Sequence, residues 1–209
     1  MKKAIVVDLD GTLLCTNTFK HFISFICKKS LSEWKFKKTI YICFLVVLRR
    51  IRLISSHEKL KYYILKHSFN FVDEKLMVEF SNKLFLYENR RLLDLIDRYR
   101  ENGYGIILST AAPAVYANII GKHYKFDAVC SSEMPNNDNV WHENVNELKK
   151  INTLAMLSEL NMDFSVFVTD HYDDIPLLLE NKDKNIIVNP SNKTLCLLGI
   201  HNIKYDLLK

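Results

Sequence analysis

Apolar residues run unbroken through Ala4, Ile5, Val6 and Val7 and stop at Asp8. A short, continuous apolar run ended by turn formers predicts a strand buried on both faces, the signature of a parallel sheet. The period then changes. Phe19, Phe22, Ile23 and Ile26 recur at helical spacing, and a long apolar stretch, Trp34 to Ile54, follows between clusters of lysine and arginine. Ser55 and Glu58 have capping-box spacing ahead of Leu60, Tyr63, Ile64 and His67. Asp73 is placed to cap a helix carrying Leu76, Met77, Phe80 and Leu84, and a further helix through Leu92, Leu95, Ile96 and Tyr99 stops at Asn102-Gly103.

Strand and helix then alternate. Strands are predicted at 104–109, 127–130, 164–168 and 185–188, with helices around Glu147 to Leu160 and from Asp174, and Pro113 suits the first turn of another. The stretch from Pro135 to Asn139 reads as loop. The alternation predicts an α/β protein with a doubly wound parallel sheet, interrupted near its start by an all-helical insertion. The expected boundaries are residues 1–15 and 88–209 for the core and 16–87 for the helical cap.

Composition narrows the function classes without choosing one. A chain of 209 residues that is 48% hydrophobic can bury a sizeable core. The net charge of +5 comes without a zinc-finger spacing or an aromatic-interleaved basic tract, so a nucleic-acid partner is not implied. Five scattered cysteines with no C-x-x-C pair read as reduced thiols, and Asp8 and Asp10 interrupt the N-terminal apolar run too early for an export signal. The expected location is cytoplasmic.

In an open parallel sheet, ligands bind at the carboxyl ends of the strands. Those ends carry Asp8 and Asp10, then Ser109 and Thr110, then Asp170, Asp173 and Asp174. Carboxylates gathered there repel one another unless a cation neutralises them. Oxygen ligands without a His or Cys cluster favour Mg2+.

These residues carry a resemblance. VVDLDGTLL is similar to the D-x-D-x-[TV] first motif of the haloacid dehalogenase superfamily, IILSTAAP resembles its second motif, and TDHYDDIPLL resembles its fourth, G-D-S-x-x-D. The third motif is a lysine. In NVNELKKINTL the spacing to Leu154 favours Lys150, with Lys149 as the alternative. An insertion between the first two motifs resembles the phosphoserine-phosphatase-like branch, whose cap is a helical bundle.

The resemblance implies a Mg2+-dependent phosphatase acting on a phosphate monoester. Asp8 would be the nucleophile that forms an aspartyl-phosphate, and Asp10 the general acid and base. Ser109 and Lys150 would stabilise the phosphoryl oxygens. Phosphate contacts are expected from Asp8, Thr12, Ser109, Thr110, Lys150 and His171, and metal ligands from Asp8, the Asp10 backbone carbonyl, Asp170 and Asp174. An Asp at the position of Asp10 goes with transfer to water in related phosphatases, although transfer to another acceptor would use the same residues. The chain departs from the pattern at Thr169, where Gly is usual, and at His171, where Ser is usual.

The cap segment suggests a partner. Ile40 to Leu48 is too short to span a bilayer but, bounded by basic residues, suits a helix at an anionic membrane surface. This gives a second reading, a phospholipid phosphatase peripheral to the inner membrane face, beside a soluble small-molecule phosphate substrate. A third, of another class, is a catalytically silent partner-binding module on the same fold.

Overall fold

The computed structural model describes residues 1–68, 72–136, 140–181 and 183–208. Its strands are β1 (Lys2–Val7), β2 (Gly105–Pro113), β3 (Ala128–Ser132), β4 (Met162–Thr169), β5 (Lys184–Val188) and β6 (Asp206–Leu208). They form one sheet in the order β3-β2-β1-β4-β5-β6, and every pair is parallel. The order reverses at β1, so the loops leaving β1, β2 and β4 meet at one edge.

Strand periodicity sorts the core into two faces. Ile5, Val7, Ile106, Leu108, Val166, Val168, Ile186 and Val188 point to one side, whereas Ala4, Val6, Ile107, Phe167 and Ile187 point to the other. The second side is covered by α7 (Asn146–Glu159), α8 (Ile175–Glu180) and α9 (Asn192–Ile200). The first is covered by α5 (Arg90–Glu101), α6 (Ala114–His123) and the helices inserted between β1 and β2. These are α1 (Thr18–Ser32), α2 (Phe36–Arg50), α3 (His57–Ser68) and α4 (Glu74–Leu84).

The inserted helices do not keep a core of their own. Phe22 of α1 and Phe80 of α4 meet edge to face, with ring centroids 5.7 Å apart, and both pack on Tyr116 of α6 at 5.6 and 5.2 Å. All three rings are buried. The Tyr116 hydroxyl lies 3.1 Å from Thr18 Oγ1, so burying it leaves no polar atom unmatched.

Several local expectations are corrected. The side chain capping α3 is Ser56, whose Oγ accepts from the Lys59 N–H at 3.1 Å, and not Ser55. Pro113 closes β2 and α6 begins one residue later. Neither α9 nor β6 was anticipated: α9 presents little apolar periodicity, and β6 has three residues, too few for a pattern. Residues 137–139 of the predicted loop lie outside the described residues. Among the described residues, no helix is long and apolar enough to cross a membrane.

Candidate active site

Asp8 directly follows β1, and its N–H continues the ladder by donating to the Val168 carbonyl at 2.9 Å. Sheet geometry therefore fixes its carboxyl group at the carboxyl edge. Gly11 then turns the chain at φ +77°, and a Cβ there would lie 2.3 Å from Asp170 Oδ2. Glycine thus serves twice: it accepts the left-handed backbone and lets the β4 loop approach the β1 loop. Thr12 Oγ1 donates to Asp170 Oδ1 at 3.2 Å across the same gap.

Lys149 of α7 is buried and bridges two carboxylates. Its Nζ lies 2.7 Å from Asp8 Oδ1 and 2.7 Å from Asp174 Oδ1. Asp174 also accepts from the Thr169 hydroxyl at 2.5 Å. Burial lowers the pKa of the lysine, but Asp174 and Asp8 together outweigh it and the net shift is upward. Asp8 is pushed up to about 7, chiefly by burial and against the attraction of Lys149, with Asp174 and Asp170 adding repulsion. Asp170 is likewise raised, to about 6, by burial above all.

Asp10 is turned the other way. Its Oδ1 accepts from the Thr18 N–H at 2.6 Å, in the first turn of α1. Burial raises its pKa, opposed by the Thr18 hydrogen bond and more weakly by Lys61 and Lys149. Asp8, Asp10, Lys149, Thr110 and Asp170 all line a cavity of about 330 Å3, roofed by Phe19, His57 and Lys61 from the inserted helices.

Two expected residues are corrected. Lys150 does not reach this cavity: its Nζ pairs with Glu147 at 2.5 Å and with Glu180 at 3.7 Å on the outer face of α7. Lys149, Thr153 and Leu157 form the buried stripe of that helix, which puts the neighbouring position outside. Ser109 is also turned away, because its Oγ lies 2.7 Å from Thr153 Oγ1 beneath the sheet edge. Strand alternation allows only one of two adjacent hydroxyls to face the cavity, and that one is Thr110.

His171 lines the cavity with its side chain 44% exposed, and its Nδ1 accepts from the Asp173 N–H at 3.2 Å. Protonated, the same nitrogen turns donor toward the Asp173 carboxylate 3.3 Å away, and that hydrogen bond is the main cause raising its pKa.

A family model for haloacid dehalogenase-like hydrolases matches residues 5–179, a span that holds this whole constellation. The chain belongs to that family. No curated protein sequence is a significant match. Among solved structures, a Bordetella pertussis Tohama I protein of unknown function superposes with a TM-score of 0.78 at 15% identity, covering 100% of this chain and 99% of that one. A phosphoserine phosphohydrolase-like protein from Francisella tularensis subsp. tularensis SCHU S4 gives 0.62 at 18% identity, covering 99% and 94%. A phosphoserine phosphatase solved as a phospho-aspartyl intermediate analogue gives 0.64 at 14% identity, covering 100% and 94%. At these identities the likeness is one of fold.

Within this haloacid dehalogenase-like fold, the roof holds residues that sequence reasoning missed. Lys61 of α3 is buried, donates to the Ala111 carbonyl at 3.1 Å and forms a short ion pair with Glu143, itself buried in the loop before α7. Glu58, one turn earlier on α3, accepts from the Glu143 N–H at 3.1 Å. A signal existed for Lys61, since it falls in register with Leu60, Ile64 and Leu65 on the buried face. Glu143 carried none. His57, beside Lys61, has its pKa lowered by burial and then by that lysine.

The donor set suits a hard cation. Lys149 neutralises Asp8 and Asp174 in part, with Asp170 close by, and burial first and the neighbouring carboxylates second raise the pKa values of Asp8 and Asp170. Among the described residues no trio of His, Cys, Asp and Glu is close enough to hold a metal alone. Mg2+ does not need one, since it keeps several waters and takes one or two carboxylates together with substrate phosphate.

Proposed function

We propose that the protein is a Mg2+-dependent phosphatase that cleaves a phosphate monoester through an aspartyl-phosphate on Asp8. The observation that carries the reading is Lys149 bridging Asp8 and Asp174 in a cavity at the carboxyl edge of the sheet. Asp8 and Asp170, with the Asp10 backbone carbonyl, would hold the metal. Asp174 has both oxygens engaged by Lys149 and Thr169 and serves instead to anchor the lysine. When bound, Mg2+ supplies positive charge to the phosphoryl oxygens and keeps Asp8 ionised.

Lys149 holds Asp8 through Oδ1, which fixes the carboxylate for in-line attack on phosphorus. As the new P–O bond to Asp8 forms, the ester P–O bond breaks. The leaving oxygen takes the proton of Asp10, whose raised pKa suits it to carry one. Asp10 then accepts a proton from the water that attacks phosphorus, and the acyl phosphate opens to regenerate Asp8 and release phosphate. Thr110, whose Oγ1 accepts from the Ala112 N–H at 3.0 Å and so keeps its own proton to donate, and the Lys149 ammonium line the cavity and would meet charge developing on the phosphoryl oxygens.

The test is phosphate release from sugar, amino-acid, nucleotide and lipid phosphates, with and without Mg2+, by wild type and Asp8→Asn. Metal-dependent turnover that falls at least about a thousandfold in the variant is the expected result. Absence of turnover on every ester by folded wild-type protein would sink the reading.

A further inference from the structure

The strongest feature outside the cavity is the outer face of α2. Its buried side, Thr39, Ile42 and Leu45, packs on the other inserted helices. The opposite side is apolar as well. Phe36, Ile40, Phe44, Val47 and Ile51 are 46%, 67%, 55%, 53% and 59% exposed. At 3.6 residues per turn these five fall within an arc of about 80°, with Lys37 at one border and Arg50 at the other. Just before the helix, Trp34 adopts φ +59°, is 82% exposed and stands edge-on to Phe36 at 5.7 Å.

Charge says what covers this face. Six basic residues, Lys35, Lys37, Lys38, Arg49, Arg50 and Arg52, and no Asp or Glu lie between Glu33 and Glu58. The whole chain carries +5, so these six cations exceed its net charge and the remainder is, on balance, faintly acidic. Some of this charge is compensated, for Lys35 pairs with Glu33 at 2.7 Å. A second copy of the chain would bring an equally cationic rim against this one, which opposes pairing. An apolar stripe with an exposed tryptophan at one end and lysines and arginines around it matches a different surface, one with hydrocarbon below and anionic headgroups at its level.

We propose that α2 docks this protein on an anionic lipid bilayer, with Phe36, Ile40, Phe44, Val47 and Ile51 entering the headgroup boundary and the flanking basic residues meeting lipid phosphates. The proposal concerns where the protein sits and not what it cleaves; it stands apart from the phosphatase reading. Both ends of the helix are tied to the fold, because Ile54 beyond it is buried and Thr39 Oγ1 donates to the Cys27 carbonyl at 3.3 Å. The stripe is therefore held outward as a rigid face.

The experiment is co-sedimentation of the full chain with vesicles of equimolar phosphatidylglycerol and phosphatidylcholine, against vesicles of phosphatidylcholine alone, at low salt. Binding at least about tenfold stronger to the anionic vesicles is expected, weakening as salt contracts the Debye length from about 30 Å at 0.01 M to about 8 Å at 0.15 M. The F44E/V47E variant should lose at least about tenfold in affinity while melting like wild type by circular dichroism, a readout that does not depend on turnover. Tryptophan emission should shift to the blue on anionic vesicles in wild type and not in Trp34→Phe, which retains Trp141. Three results would overturn the proposal: no sedimentation with anionic vesicles, equal sedimentation of F44E/V47E, or a wild-type dimer in solution that Val47→Glu converts to monomer.

Discussion

Two buried lysines face one cavity from opposite sides, and they do different work. Lys149 and Lys61 are equally inaccessible, and each ammonium lies near an aromatic face, Phe167 at 5.8 Å and Phe19 at 5.0 Å. Their partners differ in number. Lys61 meets one carboxylate, Glu143, and a carbonyl, so the roof is neutral. Lys149 stands among Asp8, Asp174 and, further off, Asp170, so the floor keeps excess negative charge. A balanced pair is a fastener between the inserted helices and the loops of the core. An unbalanced cluster is where the proposed function would seat a cation and a phosphoryl group.

Exchanging each lysine for methionine should separate the two roles. Lys149→Met should lower turnover by about 10^2 to 10^3-fold, measured on the best substrate at saturating Mg2+. Lys61→Met should act first on stability, costing about 3–5 kcal/mol because Glu143 is left buried and unpaired. Adding Glu143→Leu should recover most of that loss, as read from urea midpoints of the single and double variants. A Lys61→Met protein as stable as wild type would erase the distinction.

Titration should sharpen it. The pKa of Asp8 rises on folding from an ordinary 3.8 to about 7, and that of Asp170 to about 6. Between those limits the native state holds protons that the unfolded chain has released, so rising pH favours the unfolded chain. Without divalent ions, stability contributed by these groups should fall from about pH 4 to about pH 7. Asp8→Asn should flatten the upper part of that decline. If Mg2+ is held by the native carboxylates as proposed, it should raise the urea midpoint more at pH 7.5 than at pH 5. The smallest effect is expected from Lys150→Ala, whose stability should stay within about 0.5 kcal/mol of wild type. Its turnover should change less than about twofold.

The sheet was legible because a strand buried on both faces leaves an apolar run that little else produces, and Ala4 to Val7 did so. The acidic strand ends were legible for the converse reason: charge beside such a run must be matched. What failed was phase. Lys149 and Lys150, like Ser109 and Thr110, are neighbours with similar chemistry, and only the rotation of α7 and the pleat of β2 decide which faces the cavity. Leu154 was the misleading mark, since the deeply buried stripe runs through Thr153 and Leu157. The roof was out of reach for another reason: Glu143 joins Lys61 across 82 positions of sequence, and no local pattern encodes such a meeting.

The three rings shared by Phe22, Phe80 and Tyr116 also bear on how such a protein can diversify. A module that closes its own core can be cut from one gene and grafted into another. Here, excising the inserted helices would leave the Tyr116 ring and its hydroxyl facing water, stripped of Phe22, Phe80 and Thr18. Recombination that imports a new roof must therefore bring a matching α6 with it, whereas substitutions on the cavity side of α1 and α3 can alter selectivity one residue at a time.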